Sequence, residues 1–319
     1  MTGSLCISHS SDADGICSAA LVKMVTGAEV RLADYGDLLQ KLRDVSDLDQ
    51  LYICDLGLSP AVEDRFIGEL RRIGEFASIT YIDHHPINSS TAERIRRLGV
   101  VFQHSTEECS SILVYDHFKR KLPREAALLA LYGAVTDYLD SSPIASSLMD
   151  EFDRMLVLFE SSVLSYAICE AGPDESLLMR LVKDLASLRY PHQIDGVLDL
   201  ATKWAESLVQ LMEEVGKHGV KTGSLAYVET THHSTGSIAN LVRCAFGTPV
   251  GAAYRFKEDG FVEISLRASK NYSKDLGEIV SAIALRLCGA GGGHKKASGA
   301  RISSDRIRDF LDMLSLEVG

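Results

Sequence analysis

Ile79-Thr80-Tyr81-Ile82-Asp83-His84-His85-Pro86 is the stretch on which the reading of this chain turns. Four residues of strand-forming character stop abruptly at a carboxylate and two imidazoles, and proline then bars further strand pairing. The pattern recurs. Leu5-Cys6-Ile7 runs into His9-Ser10-Ser11-Asp12-Ala13-Asp14-Gly15, and Leu51-Tyr52-Ile53-Cys54 runs into Asp55. Asp137 closes an alanine- and leucine-rich stretch over 125–135. In an open parallel sheet, residues just past the strands face the crevice outside their carboxyl ends. His9, Asp12, Asp14, Asp55, Asp83, His84, His85 and Asp137 therefore form one inventory of oxygen and nitrogen donors, suited to a pair of divalent metal ions.

Asp12 and Asp14 stand two apart, so in an extended segment they share a face and each carboxylate can take a different ion. Gly15 permits a tight turn into a helix over 16–25. Asp55, alone after its strand, is the natural bridging carboxylate; a bridge holds two metals about 3.5–4 Å apart, the spacing used in phosphoryl hydrolysis. Each residue also has a plainer reading. An Asp after a strand can be a helix cap or turn former, Asp12-Ala13-Asp14-Gly15 a calcium-like turn, and His9 a structural histidine. What favours the metal site is their joint occurrence, each after an apolar run.

Outward from these motifs, strand-like runs near 4–8, 28–33, 51–55, 78–83 and 99–103 alternate with helical patterns such as 60–73 and 110–119. This predicts an α/β fold with a parallel sheet. The pattern from 124 to 188 is mostly helical, with a helix start at Asp174-Glu175-Ser176. Residues 195–217 read as one long helix. Beyond it, strands at 224–229, 250–256 and 261–267, with a hairpin signal at Asp259-Gly260, alternate with helices over 238–246, 276–287 and 304–316. The expected organisation is a metal-binding domain over 1–194, a linker helix over 195–219 and a smaller mixed-sheet domain over 220–319, facing each other across a cleft.

The chain has 319 residues, 46% of them hydrophobic and 24% charged, as in a globular protein. No apolar run approaches the roughly 20 residues of a membrane span, and no signal-peptide pattern opens the sequence. Seven scattered cysteines without a CxxC pair suggest free thiols in a cytoplasmic protein. Cys109 reads as a small buried residue at a helix start. His232-His233 lack acidic neighbours at ligand spacing and read as substrate or surface residues. The net charge of −11 lacks the broad basic surface that a long duplex wants, and favours a small phosphorylated substrate.

Near the C-terminus stands Gly289-Ala290-Gly291-Gly292-Gly293-His294-Lys295-Lys296-Ala297-Ser298-Gly299. Glycines let backbone N–H groups approach an anion, and Lys295 and Lys296 add positive charge; a flexible turn before a strand is the plainer reading. Taken together, the motifs resemble the DHH phosphoesterase family, in the branch with a second, DHHA1-type domain. The likeness is to short-oligonucleotide phosphodiesterases of the nanoRNase type and covers essentially the whole chain.

The resemblance implies that His9, Asp12 and Asp55 hold one Mn²⁺, and Asp14, Asp55, His84 and Asp137 a second. It implies that His85 faces the scissile phosphate while Asp83 orients His84. It further implies that Arg267, Gly291, Gly292, Gly293, His294 and Lys295 contact the substrate, with His294 on its terminal phosphate. The activity it implies is two-metal hydrolysis of short 5′-phosphorylated oligonucleotides, RNA or DNA, or of dinucleotides such as pApA. No membrane partner is implied, and a homodimer is left open. The alternatives are a phosphatase acting on 3′-phosphoadenosine 5′-phosphate, a RecJ-like single-strand exonuclease and a non-catalytic nucleotide-binding protein. Against the exonuclease stands the larger size of RecJ proteins, with an added strand-binding module.

Overall fold

The computed structural model describes residues 3–59, 61–232, 234–293 and 295–319. They form two compact units, the first ending at Trp204 and the second starting at Ala205.

The first unit alternates strand and helix: β1 (Gly3–His9), α1 (Ala13–Thr26), β2 (Glu29–Ala33), α2 (Leu38–Arg43), β3 (Leu48–Cys54), α3 (Glu63–Gly74), β4 (Ser78–Asp83), α4 (Ser89–Arg97) and β5 (Val101–His104). Helices α5 (Ser110–Phe118), α6 (Ala127–Thr136), α7 (Pro143–Met149), α8 (Arg154–Ala171) and α9 (Glu175–Leu185) follow. The sheet order is β2-β1-β3-β4-β5 and every pairing is parallel. Both faces are covered, which is why the central strands read as continuous apolar runs. Leu5, Ile7, Leu51, Ile53 and Tyr81 pack with Leu42, Phe66, Leu70 and Ile95 on one face. Cys6, Tyr52, Cys54 and Ile82 pack with Ile16, Leu21, Ile112 and Leu131 on the other. The strand order reverses between β1 and β3, so the loops leaving these two strands diverge and open a crevice at their carboxyl ends.

Helix α1 starts earlier than the sequence suggested. Asp12 caps it, accepting a hydrogen bond from the Gly15 N–H at 3.0 Å. Gly15 thus lies inside the first helical turn, and close approach requires it: a Cβ there would stand 2.3 Å from the His9 carbonyl oxygen. The short helices α2 and α4 carry too few apolar repeats to be read from the sequence.

Helix α10 (Val197–His218) runs through the division. The second unit contains β6 (Val220–Thr222), β7 (Leu225–Glu229), α11 (Thr235–Phe246), β8 (Val250–Phe256), β9 (Phe261–Ala268), α12 (Leu276–Arg286), β10 (Ala290–Gly293), β11 (Ala297–Ser303) and α13 (Ile307–Glu317). Its sheet runs β10-β11-β9-β8-β7-β6, with β7 and β8 parallel and the other pairs antiparallel. The expected hairpin joins β8 to β9, with Gly260 at φ 80°. Val262, Ile264 and Leu266 alternate into a core with Val280, Ile283, Phe310 and Leu314.

Part of the glycine-rich stretch, whose plainer reading was a flexible turn, is strand β10 at the sheet edge. Helix α12 lies so close to it that a Cβ on Gly277 would stand 2.3 Å from the Gly293 carbonyl oxygen, and one on Gly291 2.9 Å from the Ala284 Cβ.

Leu21 is fully buried between the sheet and the surrounding helices. Leu21→Ala should destabilise the first unit by about 2–5 kcal/mol, read as a lower urea midpoint at unchanged m-value.

Candidate metal centre

Every strand of the first sheet ends at the centre or beside it. His9 ends β1, Asp83 ends β4 and His104 ends β5, while Asp55 is the first residue past β3. Asp12 and Asp14 sit at the start of α1, and Asp137 at the end of α6. Asp55 adopts φ 58°, a left-handed conformation that Asp tolerates better than most non-glycine residues. Its backbone N–H donates to the Ile82 carbonyl at 3.1 Å.

The six expected metal ligands come together. His9 Nδ1 lies 2.9 Å from Asp12 Oδ2 and 3.5 Å from Asp55 Oδ2. His84 Nε2 lies 3.3 Å from Asp55 Oδ1, 3.4 Å from Asp137 Oδ2 and 4.0 Å from Asp14 Oδ2. Three overlapping sets result: His9, Asp12 and Asp55; Asp14, His84 and Asp137; and Asp55, His84 and His85, each with donor atoms within 4.8 Å of one another. Donors on one ion with bonds of about 2.1 Å stand roughly 3–4 Å apart, so these sets fit divalent cations with little movement. His9 Nδ1 and Asp55 Oδ2 are buried and make no hydrogen bond, a costly arrangement unless a cation takes them.

The electrostatics of the bare cluster agree. Burial, and then Asp55, pushes the Asp14 carboxyl up to about 6. Burial, and then Asp14, raises Asp137 well above the carboxylate range. Burial works the same way on Asp55, yet His84 and His9 hold it well below that range. Burial would lower His9 and His84, but the surrounding carboxylates raise both well above the ordinary imidazole value. Protons stand in for missing positive charge.

Asp83 has a different task from the one expected. Its Oδ1 pairs with His85 Nδ1 at 2.8 Å, and its Oδ2 accepts from the His85 N–H at 3.3 Å. Asp83 thus orients His85, where the expectation had it orienting His84. The reason is local: residues two apart on an extended segment share a face, and adjacent ones do not. Tyr81 Oη donates to the Leu56 carbonyl at 2.7 Å and to Asp83 Oδ2 at 3.4 Å, and His104 Nε2 meets the His85 carbonyl at 2.7 Å.

Several supporting residues escaped the sequence reading. The first backbone N–H groups of α5, on Ser110 and Ser111, donate to the two oxygens of Asp14 at 2.8 and 2.9 Å, and Ser110 Oγ donates to Asp55 Oδ1 at 3.0 Å. A carboxylate at a helix N-terminus satisfies otherwise unpaired donors. Cys109, immediately before, is buried. A Cβ on Gly133 would stand 2.3 Å from Asp14 Oδ1, and one on Gly57 2.5 Å from the His85 ring. Tyr35, past β2, places its hydroxyl 2.8 Å from His85 Nε2. The strand-end rule applied to β2 would have pointed to it.

In the second unit, Arg267 on β9 donates to the Leu266 carbonyl at 3.0 Å. Gly236, at the start of α11, makes room for its guanidinium, since a Cβ there would lie 2.7 Å from Nη2. Gly291, Gly292 and Gly293 lie on β10 of the same sheet, with Gly292 and Gly293 at φ 155° and 136°. Lys295 is exposed, and Lys296 instead bonds the Tyr272 carbonyl. His294 and His233 lie outside the described residues, and His232 accepts from the Ser234 N–H at 3.2 Å.

Residues 222–319 match the DHHA1 domain family. Along the whole length of the chain the fold is similar to that of DHH-domain structures. Over 99% of its length it superposes on the DHH domain of a member of the s1p family of ribosomal proteins (TM-score 0.75, 14% identity, 86% of that chain). It superposes likewise on a manganese-bound RecJ exonuclease (TM-score 0.63, 16% identity, 90% of that chain). A third similar structure is the pGpG-specific phosphodiesterase PggH from Vibrio cholerae (TM-score 0.57, 14% identity, 98% of that chain). Compared by sequence, no curated protein matches. The DHHA1 domain spans the glycine strand and Arg267, and the aspartate–histidine cluster lies in the unit before it.

Two predictions follow from the cluster. Ser110→Ala removes one hydrogen bond to Asp55 and should weaken Mn²⁺ binding about tenfold, measured by calorimetry, with the fold intact by circular dichroism. Groups whose pKa is raised must lose protons when metal binds, so affinity should rise with pH through about 6. Mn²⁺ added to weakly buffered metal-free protein near that pH should release protons; a flat affinity between acid and neutral pH would count against this cluster as the metal site.

Proposed function

We propose that the chain is a metal-dependent phosphodiesterase that hydrolyses short 5′-phosphorylated oligonucleotides, or linear dinucleotides, to mononucleotides. The observation that carries this reading is the sharing of Asp55 and His84 among three overlapping donor sets. That arrangement suits two neighbouring divalent ions bridged by a carboxylate. His9, Asp12 and Asp55 would hold one, and Asp14, Asp55, His84 and Asp137 the other. The donor set of carboxylates with imidazole leans to Mn²⁺. Bound there, the ions supply a water of lowered pKa and polarise the phosphoryl oxygens.

The chain's own residues do the rest. Asp83 fixes the ring of His85 through Nδ1, so Nε2 is the atom that meets a phosphoryl oxygen and stabilises its growing charge. Ser110 and the start of α5 hold Asp14 and Asp55 in place. Arg267, the Gly291–Gly293 strand, His294 and Lys295 grip the terminal phosphate, and a grip apart from the metals selects short chains by length. The net charge of −11 disfavours long polymers. That a similar structure is described as a pGpG-specific phosphodiesterase supports a dinucleotide-sized substrate.

A RecJ-type single-strand exonuclease is the second reading. Size does not weigh evenly against it: the chain spans 90% of one RecJ structure but 52% of another, from Thermus thermophilus. Seven free cysteines, four of them buried, support a reducing cytoplasmic compartment. No helix among the described residues is long and apolar enough to cross a membrane.

The test is Mn²⁺-dependent hydrolysis of 5′-phosphorylated RNA from dinucleotides to twenty-mers, with single-stranded DNA, pyrophosphate and 3′-phosphoadenosine 5′-phosphate alongside. Rates should be highest on the shortest oligonucleotides. Asp55→Ala should abolish turnover and weaken metal binding, while His294→Ala should spare metal and lose the preference for a 5′-phosphate. Fastest cleavage of long single strands would favour the exonuclease, and preference for the bisphosphate a phosphatase. No hydrolysis by metal-loaded protein would overturn the proposal.

A further inference from the structure

The loop Asp34-Tyr35-Gly36-Asp37 leaves β2 at the rim of the aspartate–histidine cluster. Its own polar groups hold it together: the Tyr35 N–H donates to Asp34 Oδ1 and the Asp34 N–H to Asp37 Oδ1, both at 2.7 Å. From this frame Tyr35 reaches inward while remaining 51% exposed. Its ring lies 5.1 Å from the His9 ring and 5.9 Å, edge-on, from that of His85. Its hydroxyl stands 2.8 Å from His85 Nε2.

Asp83 already holds the other nitrogen of His85, at 2.8 Å. An imidazole nitrogen has one in-plane position for a hydrogen bond, whichever way the hydrogen lies. The Tyr35 hydroxyl takes that position on Nε2. If Nε2 is the atom that meets the phosphoryl group, a reading on which this inference rests, the phosphoryl oxygen and the tyrosine compete for one place. The neighbouring Gly36 gives the loop backbone freedom to yield.

We propose that Tyr35 is a substrate-displaced latch: its hydroxyl satisfies His85 Nε2 in the free protein and leaves when a phosphoryl oxygen arrives. The latch makes Tyr35 a positioning residue that sets phosphate affinity. It keeps the His85 ring turned toward the substrate's place, and it is traded for the substrate's own hydrogen bond.

Tyr35→Phe tests this, because it removes the hydroxyl and keeps the ring against His9. With Mn²⁺ loaded, the KM for pApA should fall about three- to tenfold, the range of a single lost competing hydrogen bond, and kcat should change less than twofold. Inorganic phosphate and adenosine 5′-monophosphate, titrated calorimetrically, should bind tighter by a similar factor, with Mn²⁺ affinity unaltered. The phosphate titration needs no turnover, so it still tests the latch if pApA proves not to be a substrate. Tyr35→Leu, which also removes the ring, should tighten phosphate binding as well. A tenfold or larger fall in kcat with KM unchanged would mean that the hydroxyl acts on the reacting group, and overturns the latch. Phosphate affinity equal to the parent's in both variants overturns it too.

Discussion

The first unit is organised around the burial of Asp55 between two histidines. One of its oxygens faces His84 and the Ser110 hydroxyl, and the other faces His9. An ionised carboxylate with 1% of its surface exposed needs opposing charge on each side. The left-handed turn at Asp55 delivers the side chain between His9 at the end of β1 and His84 just past β4. The parallel sheet, the switch point between β1 and β3, and the helix start that grips Asp14 all serve to bring like charges together. Folding concentrates negative charge here, and cations would relieve it.

Close backbone approach is the second constraint. Gly15 lets α1 rest on His9, Gly57 clears the ring of His85, and Gly133 lets α6 pass beside Asp14. Each stands where a methyl group would collide with a residue of the cluster. The second unit uses the same device when Gly277 and Gly291 seat α12 on the edge strand, and Gly236 gives Arg267 its space. Glycine in this protein chiefly brings elements near enough for polar groups to converge.

Much of this was legible in the residues. Apolar runs that end in Asp or His marked the strands β1, β3 and β4, and the strand-end rule placed their donors in one crevice. Asp83 shows where the resemblance misled. It implied that Asp83 orients the adjacent His84, whereas the alternation of an extended chain turns Asp83 toward His85. The glycine-rich stretch was harder to place. Its composition marks conformational freedom, and pairing with β11, with α12 packed against it, makes Ala290–Gly293 a strand.

The sequence by itself determined the α/β alternation, the parallel sheet and an inventory of donors at strand and helix ends that includes every residue of the cluster, because periodicity and element ends are local properties. Tertiary structure alone decided which donors share Asp55, that Ser110 supports a carboxylate 96 residues earlier, and that Tyr35 rests on His85. Those contacts join segments far apart in the chain. Their partners are set by how helices and loops pack, and no local pattern in the sequence records that packing.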